Sequence, residues 1–167
     1  MKKEAEPGGT LPRAGRVVVG VDGSPGSLVA LSWALSKASL RGVEMQAVGV
    51  WEYPGGMGGL GDDVMPLDDA DPQHTMAAVM ATAIAAATAS MLSDEALPPV
   101  TSSDIQGNPA TELQHAVGGG DLLVVGSRGH GEVAEMLLGS VSQHVISRAC
   151  CPVVVVPKLV HLKERVQ

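Results

Sequence analysis

The sequence predicts one α/β domain, a doubly wound parallel sheet of five strands with helices on both faces. Predicted strands and helices alternate along the chain, the pattern that builds parallel sheets. The valine runs 17–19 and 153–156 are apolar without alternation, which is typical of strands buried on both faces. The chain of 167 residues is long enough for one domain with a sizeable core.

The first half of the chain carries clear signals for element ends. A strand is predicted over 16–21, and a helix then runs from Pro25 to about Leu40. Ser24 is its expected N-cap, Pro25 suits the first helical position, and Gly42 ends the helix. The next strand is predicted over 43–50.

A segment rich in glycine and aspartate, residues 52–70, follows the second strand and lacks periodicity. It is predicted to be a loop, either a plain linker or a lid over a binding site. Its aspartates suggest Ca²⁺, but the framework of an EF-hand loop is absent, so solvated acids are expected.

The second half begins with an alanine-rich helix that starts at Asp71-Pro72 and is predicted to reach about Ala96. Its expected core stripe is Met76, Met80, Ile84, Ala87 and Met91. The remaining predictions are a polar edge strand over 100–106, a helix over 110–117, a strand over 121–125, a helix over 141–149 and a strand over 153–156. In the helix over 141–149, the side chains of Val141, Val145, Ile146 and Ala149 are expected to point inward.

A glycine-rich loop links the strand over 121–125 to the helix over 141–149. It reads Gly126-Ser127-Arg128-Gly129, then nine residues, then Gly139-Ser140. Ser140 is the predicted N-cap, and Gln143 would complete a capping box. Backbone N–H groups and a positive helix end would then face one concavity, where a phosphate is commonly held, and the Ser140 and Ser142 hydroxyls could add donors. A tight turn is the alternative interpretation of Gly126 taken alone.

The spacing G-x-x-G-x9-G-S resembles the nucleotide-binding signature of the universal stress protein family. The resemblance extends to residues 19–24 and 151–156, and covers roughly 16–157. It implies a Rossmann-like sheet of strand order 3-2-1-4-5. Residues 1–15 are predicted to be a disordered leader, 16–157 the domain, and 158–167 a charged tail.

The implied strand order brings Asp22 and Gly126 together, because each follows one of two neighbouring strands. An ionised Asp22 suits a ribose hydroxyl or a water on bound Mg²⁺; the alternative is an Asx-turn acceptor. The resemblance implies that Gly20 and Gly107 allow close approach of a nucleoside, and that Val50 offers backbone groups to adenine. The predicted nucleotide-binding residues are Gly20, Asp22, Val50, Gly107, Gly126, Ser127, Arg128, Gly129, Gly131, Gly139, Ser140, Val141 and Ser142.

The expected ligand is ATP, with Mg²⁺. Arg128 and His130 are the loop side chains that could compensate phosphate charge, although either could equally be a solvated loop residue. No P-loop lysine motif, H-E-x-x-H zinc motif or G-x-S-x-G elbow is present, so no catalytic residue is predicted. Slow ATP hydrolysis is the most that the pattern allows.

Charge and composition limit the partners. The net charge is −7 without a basic run, which argues against nucleic acid and anionic membranes. No apolar run is long enough to span a membrane and the first residues lack a signal-peptide core, so a cytoplasmic location is the default. Cys150 and Cys151 are expected to be buried apolar residues; the alternatives are a redox-responsive thiol or an intermolecular bridge.

The last strand predicts an assembly. Val153, Val154, Val155 and Val156 would form an exposed apolar edge, which pairing with a second copy would cover. The resemblance implies the same homodimer. Three functions stay open: an ATP-dependent regulatory module with an unknown protein partner, a dimeric scaffold without nucleotide, and an enzyme that cleaves or transfers an adenylate.

Overall fold

A computed structural model describes residues 15–52, 71–91, 96–130 and 137–158. The strands are β1 (Val17–Val21), β2 (Met45–Trp51), β3 (Val100–Gln106), β4 (Leu122–Gly126) and β5 (Val153–Val156). The helices are α1 (Pro25–Arg41), α2 (Pro72–Ala89), α3 (Pro109–His115) and α4 (Ser140–Arg148). Nearly all of the predicted leader, tail and 52–70 loop lies outside the described residues.

All strand pairings in this part of the chain are parallel, and the strand order is 3-2-1-4-5. The predicted fold class is therefore confirmed, and so are the edge positions of β3 and β5. In the central strand β1, Val17 and Val19 pack into a core with α1 and α2, while Val18 packs on the opposite face with Leu113 of α3 and Val145 of α4. Burial on both faces explains why residues 17–19 of β1 are all valine.

The ends of α1 follow the predicted signals. The Ser24 hydroxyl accepts a hydrogen bond from the Ser27 N–H at 3.2 Å, and Pro25 occupies the first helical position. Gly42 has a φ of 61° and its N–H bonds back to the helix end, a conformation that side chains other than glycine rarely adopt.

The alanine-rich helix α2 is shorter than predicted, since it ends at Ala89 rather than near Ala96. The Ser90 hydroxyl donates to the Ala87 carbonyl at 2.7 Å, and such local bonds compete with helix continuation. The predicted stripe does face the core, because Met80 and Ala87 are buried and Met76, Ile84 and Met91 are partly buried against them.

The predicted capping box of α4 is wrong. Gly139 is the N-cap, Ser140 is already helical, and no side chain caps this end. The Gly139 N–H donates to the Ser127 carbonyl at 2.8 Å and Gly139 is extended, so the helix begins at Ser140, one residue earlier than predicted. The Gln143 side chain instead donates to the Leu138 carbonyl at 3.1 Å.

Ile146 and Cys150 are also expected in the core, but both are exposed. The side chain of Ile146 is 48% exposed, whereas Val145 beside it is buried. Cys150 is exposed and Cys151 half-buried, so the pair is not sealed in the core. Burial raises the pKa of the Cys151 thiol. Among the described helices, none is long and apolar enough to cross a membrane.

Candidate functional site

A cleft of about 260 Å³ opens at the carboxyl ends of β1 and β4, where the strand order reverses. Sites of doubly wound sheets form at this place because the two flanking connections leave on opposite faces. Ten of the thirteen predicted residues line the cleft: Gly20, Asp22, Val50, Gly126, Arg128, Gly129, Gly139, Ser140, Val141 and Ser142.

Two loops form the wall of the cleft and lie directly against each other. We define the first site loop as residues 22–24 and the second as residues 127–130. A Cβ atom added to Gly129 would lie 2.6 Å from the Asp22 Oδ2 atom, and one added to Gly26 would lie 2.6 Å from the Arg128 carbonyl oxygen. Gly129 therefore allows the two loops to approach each other, and Gly26 allows the first turn of α1 to approach the second site loop.

Gly126 has a packing role of the same kind. Its Cβ would lie 2.7 Å from the backbone carbon of Gly26, in the first turn of α1. The missing side chain thus makes room for α1, and this packing role differs from the predicted tight turn, since Gly126 is the last residue of β4 and has no positive φ. Contact of the Gly126 backbone with a phosphate stays a prediction.

The N-terminus of α4 faces the cleft. The Gln143 N–H bonds to the Gly139 carbonyl at 3.0 Å, so the N–H groups of Ser140, Val141 and Ser142 precede the first turn's hydrogen bonds. Together with the helix dipole, such groups favour a bound anion. This local geometry matches what the glycine spacing predicts.

The Ser142 hydroxyl does not serve as the predicted phosphate donor. Its side chain is buried and donates to the Gly126 carbonyl at 2.7 Å. A hydroxyl has one proton, so this bond uses the donor that the hydroxyl could offer a ligand. The bond joins the first turn of α4 to the end of β4 and so fixes the position of the helix N-terminus relative to the sheet.

Asp22 forms the Asx turn that was one of its two predicted roles, and it also lines the cleft; contact with a ligand stays a prediction. Its Oδ1 atom accepts from the Ser24 N–H at 2.9 Å, which is the Asx turn, while the residue also lines the cleft. A carboxylate has about four lone-pair sites, so the turn leaves acceptor capacity toward a ligand. The turn fixes the direction in which the carboxylate points.

The basic side chains of the cleft come from the second site loop. Arg128 and His130 both line the cleft. The His130 Nε2 atom lies 2.7 Å from the Asp22 carbonyl oxygen. Because a carbonyl can only accept, Nε2 must carry the proton in this contact.

The side of the cleft nearest β2 and α3 is apolar. Val48, Leu113 and Pro109 line it beside Val50, and the Gly20 Cβ position is 3.0 Å from a Leu113 methyl carbon. Sequence reasoning missed Val48, Pro109 and Leu113. Their positions near the carboxyl end of β2 and in the helix after β3 are a signal that could have found them.

Of the other three predicted residues, Gly107 and Ser127 do not line the cleft. Gly107 has a φ of 149°, and its Cβ position is 2.9 Å from the Glu112 side chain, so a tight turn accounts for this glycine. Ser127 is buried, and its N–H donates to the Val156 carbonyl at 2.8 Å. Gly131 lies outside the described residues. Within the described ranges, no three metal-ligating side chains cluster as a cation site.

Comparison with known proteins finds a matching family model and related proteins. The model of the universal stress protein family matches residues 14–157. A universal stress protein of Mycobacterium bovis is 36% identical over 152 residues, which cover 86% of this chain and 46% of the relative. One of Mycolicibacterium smegmatis is 36% identical over 144 residues, covering 84% and 45%. The chain thus spans about half the length of these curated relatives.

Solved structures agree in fold. The protein UspA of Lactobacillus plantarum is 20% identical with a TM-score of 0.64, and the match covers 87% of this chain and 99% of that one. A universal stress protein solved in complex with cAMP is 25% identical with a TM-score of 0.62, covering 87% and 98%.

Proposed function

The chain belongs to the universal stress protein family, and on that premise we propose that it binds ATP with Mg²⁺ as a nucleotide-dependent regulatory module. One observation carries the proposal: the cleft is apolar on its β2 side and rich in backbone donors on its β4 side. A nucleotide has the same division, with a flat base at one end and phosphates at the other.

The residues of the cleft fit the parts of the ligand. The N–H groups at the start of α4 and the Arg128 side chain suit the phosphates. Asp22 suits a ribose hydroxyl or a water on Mg²⁺. Val48, Val50 and Leu113 suit the base, and the missing side chain of Gly20 makes room for Leu113.

The charge of the cleft favours a metal-bound triphosphate. Arg128 supplies one full positive charge and Asp22 one negative charge. Among the described residues, no other aspartate or glutamate and no lysine or second arginine lines the cleft. A bare triphosphate would therefore bind weakly, whereas Mg²⁺ would neutralise part of its charge.

The same balance supports a second candidate, cyclic AMP. Its phosphodiester carries a single negative charge, which Arg128 and the α4 N-terminus could match without a metal. A family member 25% identical to this chain has been solved in complex with cAMP.

Titration calorimetry on the purified protein separates these ligands. We expect ATP to bind in the presence of Mg²⁺ and to lose affinity when EDTA replaces Mg²⁺. Cyclic AMP that binds more tightly than ATP with Mg²⁺, and equally well with EDTA, would select the second candidate. Absence of binding by both nucleotides would contradict the proposal and favour a dimeric scaffold.

The proposed module is a homodimer joined through β5. Within the described residues this strand pairs with β4 alone, and Val153, Val154 and Val155 are half-buried although the strand is at the edge. The flanking helices α1 and α4 each contact β5 and carry exposed apolar side chains, including Trp33 and Ile146. Two-fold pairing of this edge would cover apolar surface and unpaired backbone groups. A cytoplasmic location and an unidentified regulatory partner complete the prediction.

A further inference from the structure

A histidine joins the two loops that wall the cleft. His130, in the second site loop, is exposed at the mouth of the cleft, and its Nε2–H donates to the backbone carbonyl of Asp22 in the first site loop at 2.7 Å. The two residues are 108 positions apart in the chain. The bond therefore fixes the relative position of loops that the topology alone only brings near each other.

The segment that this bond holds is a narrow turn. Gly23 has a φ of 80°, and its Cβ position lies 3.9 Å from the His130 Nε2 atom on one side and 2.8 Å from a Val79 methyl carbon of α2 on the other. The turn thus lies close to both the histidine and α2. Further hydrogen bonds of the turn run from the Ser24 N–H to the Asp22 carboxylate and from the Asp22 N–H to the Ser27 hydroxyl.

Asp22 contacts the histidine with its backbone and the cleft with its side chain. Its carbonyl accepts from His130, and its carboxylate lines the cleft within contact distance of Gly129. A shift of the turn would move the carboxylate away from Gly129 and from the α4 N-terminus. Groups that are held in place before the ligand arrives bind it with a smaller ordering cost.

We propose that His130 is a positioning residue that preorganises the nucleotide site by holding the Asp22 carbonyl, without itself compensating phosphate charge. The inference rests on the proposed nucleotide-binding function for its consequence, but the contact itself can be tested without a nucleotide. It predicts that preorganisation of the site requires a hydrogen-bond donor at the place of the His130 Nε2 atom. A positive charge at that place is not required.

Two substitutions separate these roles. His130→Ala removes the donor. His130→Gln places an uncharged amide N–H near the position of Nε2 and keeps it. His74→Ala is the matched control, because His74 is an exposed histidine on α2 and does not line the cleft.

The first measurement uses the ligand-free protein. Amide hydrogen exchange at Ser24, followed by NMR, reports whether the turn is held, because its N–H bonds to the Asp22 carboxylate. We expect faster exchange in His130→Ala and wild-type exchange in His130→Gln and His74→Ala, with the melting temperature of all variants close to wild type.

The second measurement is the affinity for ATP with Mg²⁺ and, separately, for cyclic AMP. We expect His130→Ala to bind the preferred nucleotide roughly three- to tenfold more weakly, the usual net effect of one hydrogen bond. His130→Gln should recover most of the loss, and His74→Ala should bind as wild type.

Three results overturn the inference: unchanged Ser24 exchange in His130→Ala, unchanged affinity beside faster exchange, or failure of His130→Gln to recover affinity. If the wild type binds neither nucleotide, the proposed function fails instead. Ser24 exchange then still decides whether His130 holds the turn.

Discussion

At the scale of single residues, Asp22 has a structural hydrogen bond and a proposed ligand contact in one side chain. Its Oδ1 atom accepts from the Ser24 N–H, and the residue lines the cleft. Asparagine keeps an oxygen that can accept in the turn but removes the negative charge. The pair of variants Asp22→Asn and Asp22→Ala therefore separates the turn from the ligand contact.

We expect Asp22→Asn to reduce affinity for ATP with Mg²⁺ by about ten- to a hundredfold, as for loss of a charged hydrogen-bond partner. Its thermal stability should stay near wild type, whereas Asp22→Ala should lose both affinity and stability. Calorimetry with ATP and a melting curve check this. Equal affinity of Asp22→Asn and wild type would remove the carboxylate from the ligand contact.

Gly126 provides a test of loop packing. Because its Cβ would meet the Gly26 backbone at 2.7 Å, Gly126→Ala should lower the free energy of unfolding by about 1–3 kcal/mol. Gly119→Ala is the control, since the nearest atom to its Cβ position is 3.7 Å away. Urea unfolding followed by circular dichroism measures both. Equal stability of the two variants would contradict the packing role.

At the scale of secondary-structure elements, the Asp121 carboxylate links several segments at the end of the sheet opposite the cleft. Asp121 accepts from the backbone N–H groups of Arg16 and Gly118 at 2.9 Å each, and its Oδ2 atom pairs with the Arg16 guanidinium at 3.1 Å. Burial alone would raise the pKa of Asp121, but these hydrogen bonds and the Arg16 charge outweigh it and lower that pKa. The residue joins the starts of β1 and β4 to the residues after α3.

A lowered pKa in the folded state gives a defined pH dependence. The stabilisation is fully present above the ordinary aspartate pKa of about 3.9 and is lost as the pH falls through the lower folded value. We expect Asp121→Ala to lower the free energy of unfolding by about 1–3 kcal/mol at neutral pH, because two backbone donors lose their acceptor.

The difference in stability between wild type and Asp121→Ala should shrink as the pH falls below about 4. Urea unfolding at several pH values measures it. Asp104→Ala, at an exposed position of β3, should show no such difference. A gap between wild type and Asp121→Ala that stays constant down to low pH would contradict the role of the charge.

Most element positions could be predicted because local signals set them. β3 and β5 have the predicted bounds, and α1 begins and ends at its proline and glycine signals. The end of α2 could not be predicted, since Met91, Leu92 and Glu95 also favour helix and a serine bond to a carbonyl stops it. The start of α4 depends on the bond from Gly139 to Ser127, a contact between residues twelve positions apart.

At the scale of the whole molecule, strand order builds the cleft. The sequence spacing identified residues on β1 and on the loop after β4, and the topology brings them together. What the sequence could not indicate is how the loops touch. The hydroxyl of Ser142 bonds to Gly126 and the ring of His130 bonds to Asp22, and neither contact leaves a local pattern in the chain.

The proposed assembly also belongs to this scale. We expect the wild type to be dimeric with or without nucleotide, and Val154→Lys to be monomeric or insoluble, because a charge would enter the β5 edge. Leu40→Lys is the control, since Leu40 is 76% exposed near the end of α1. Light scattering on each protein checks this, and a stable wild-type monomer at micromolar concentration would contradict the dimer.

The central claim is that a nucleotide binds in the cleft between β1 and β4, and amide chemical shifts test it most directly. NMR spectra recorded while ATP with Mg²⁺ is added should show shifts at Asp22, Arg128, Gly129 and Ser140–Ser142, with little change at the Arg16–Asp121 end of the sheet. Absence of shifts with both ATP and cyclic AMP, or shifts confined to other surfaces, would contradict the claim.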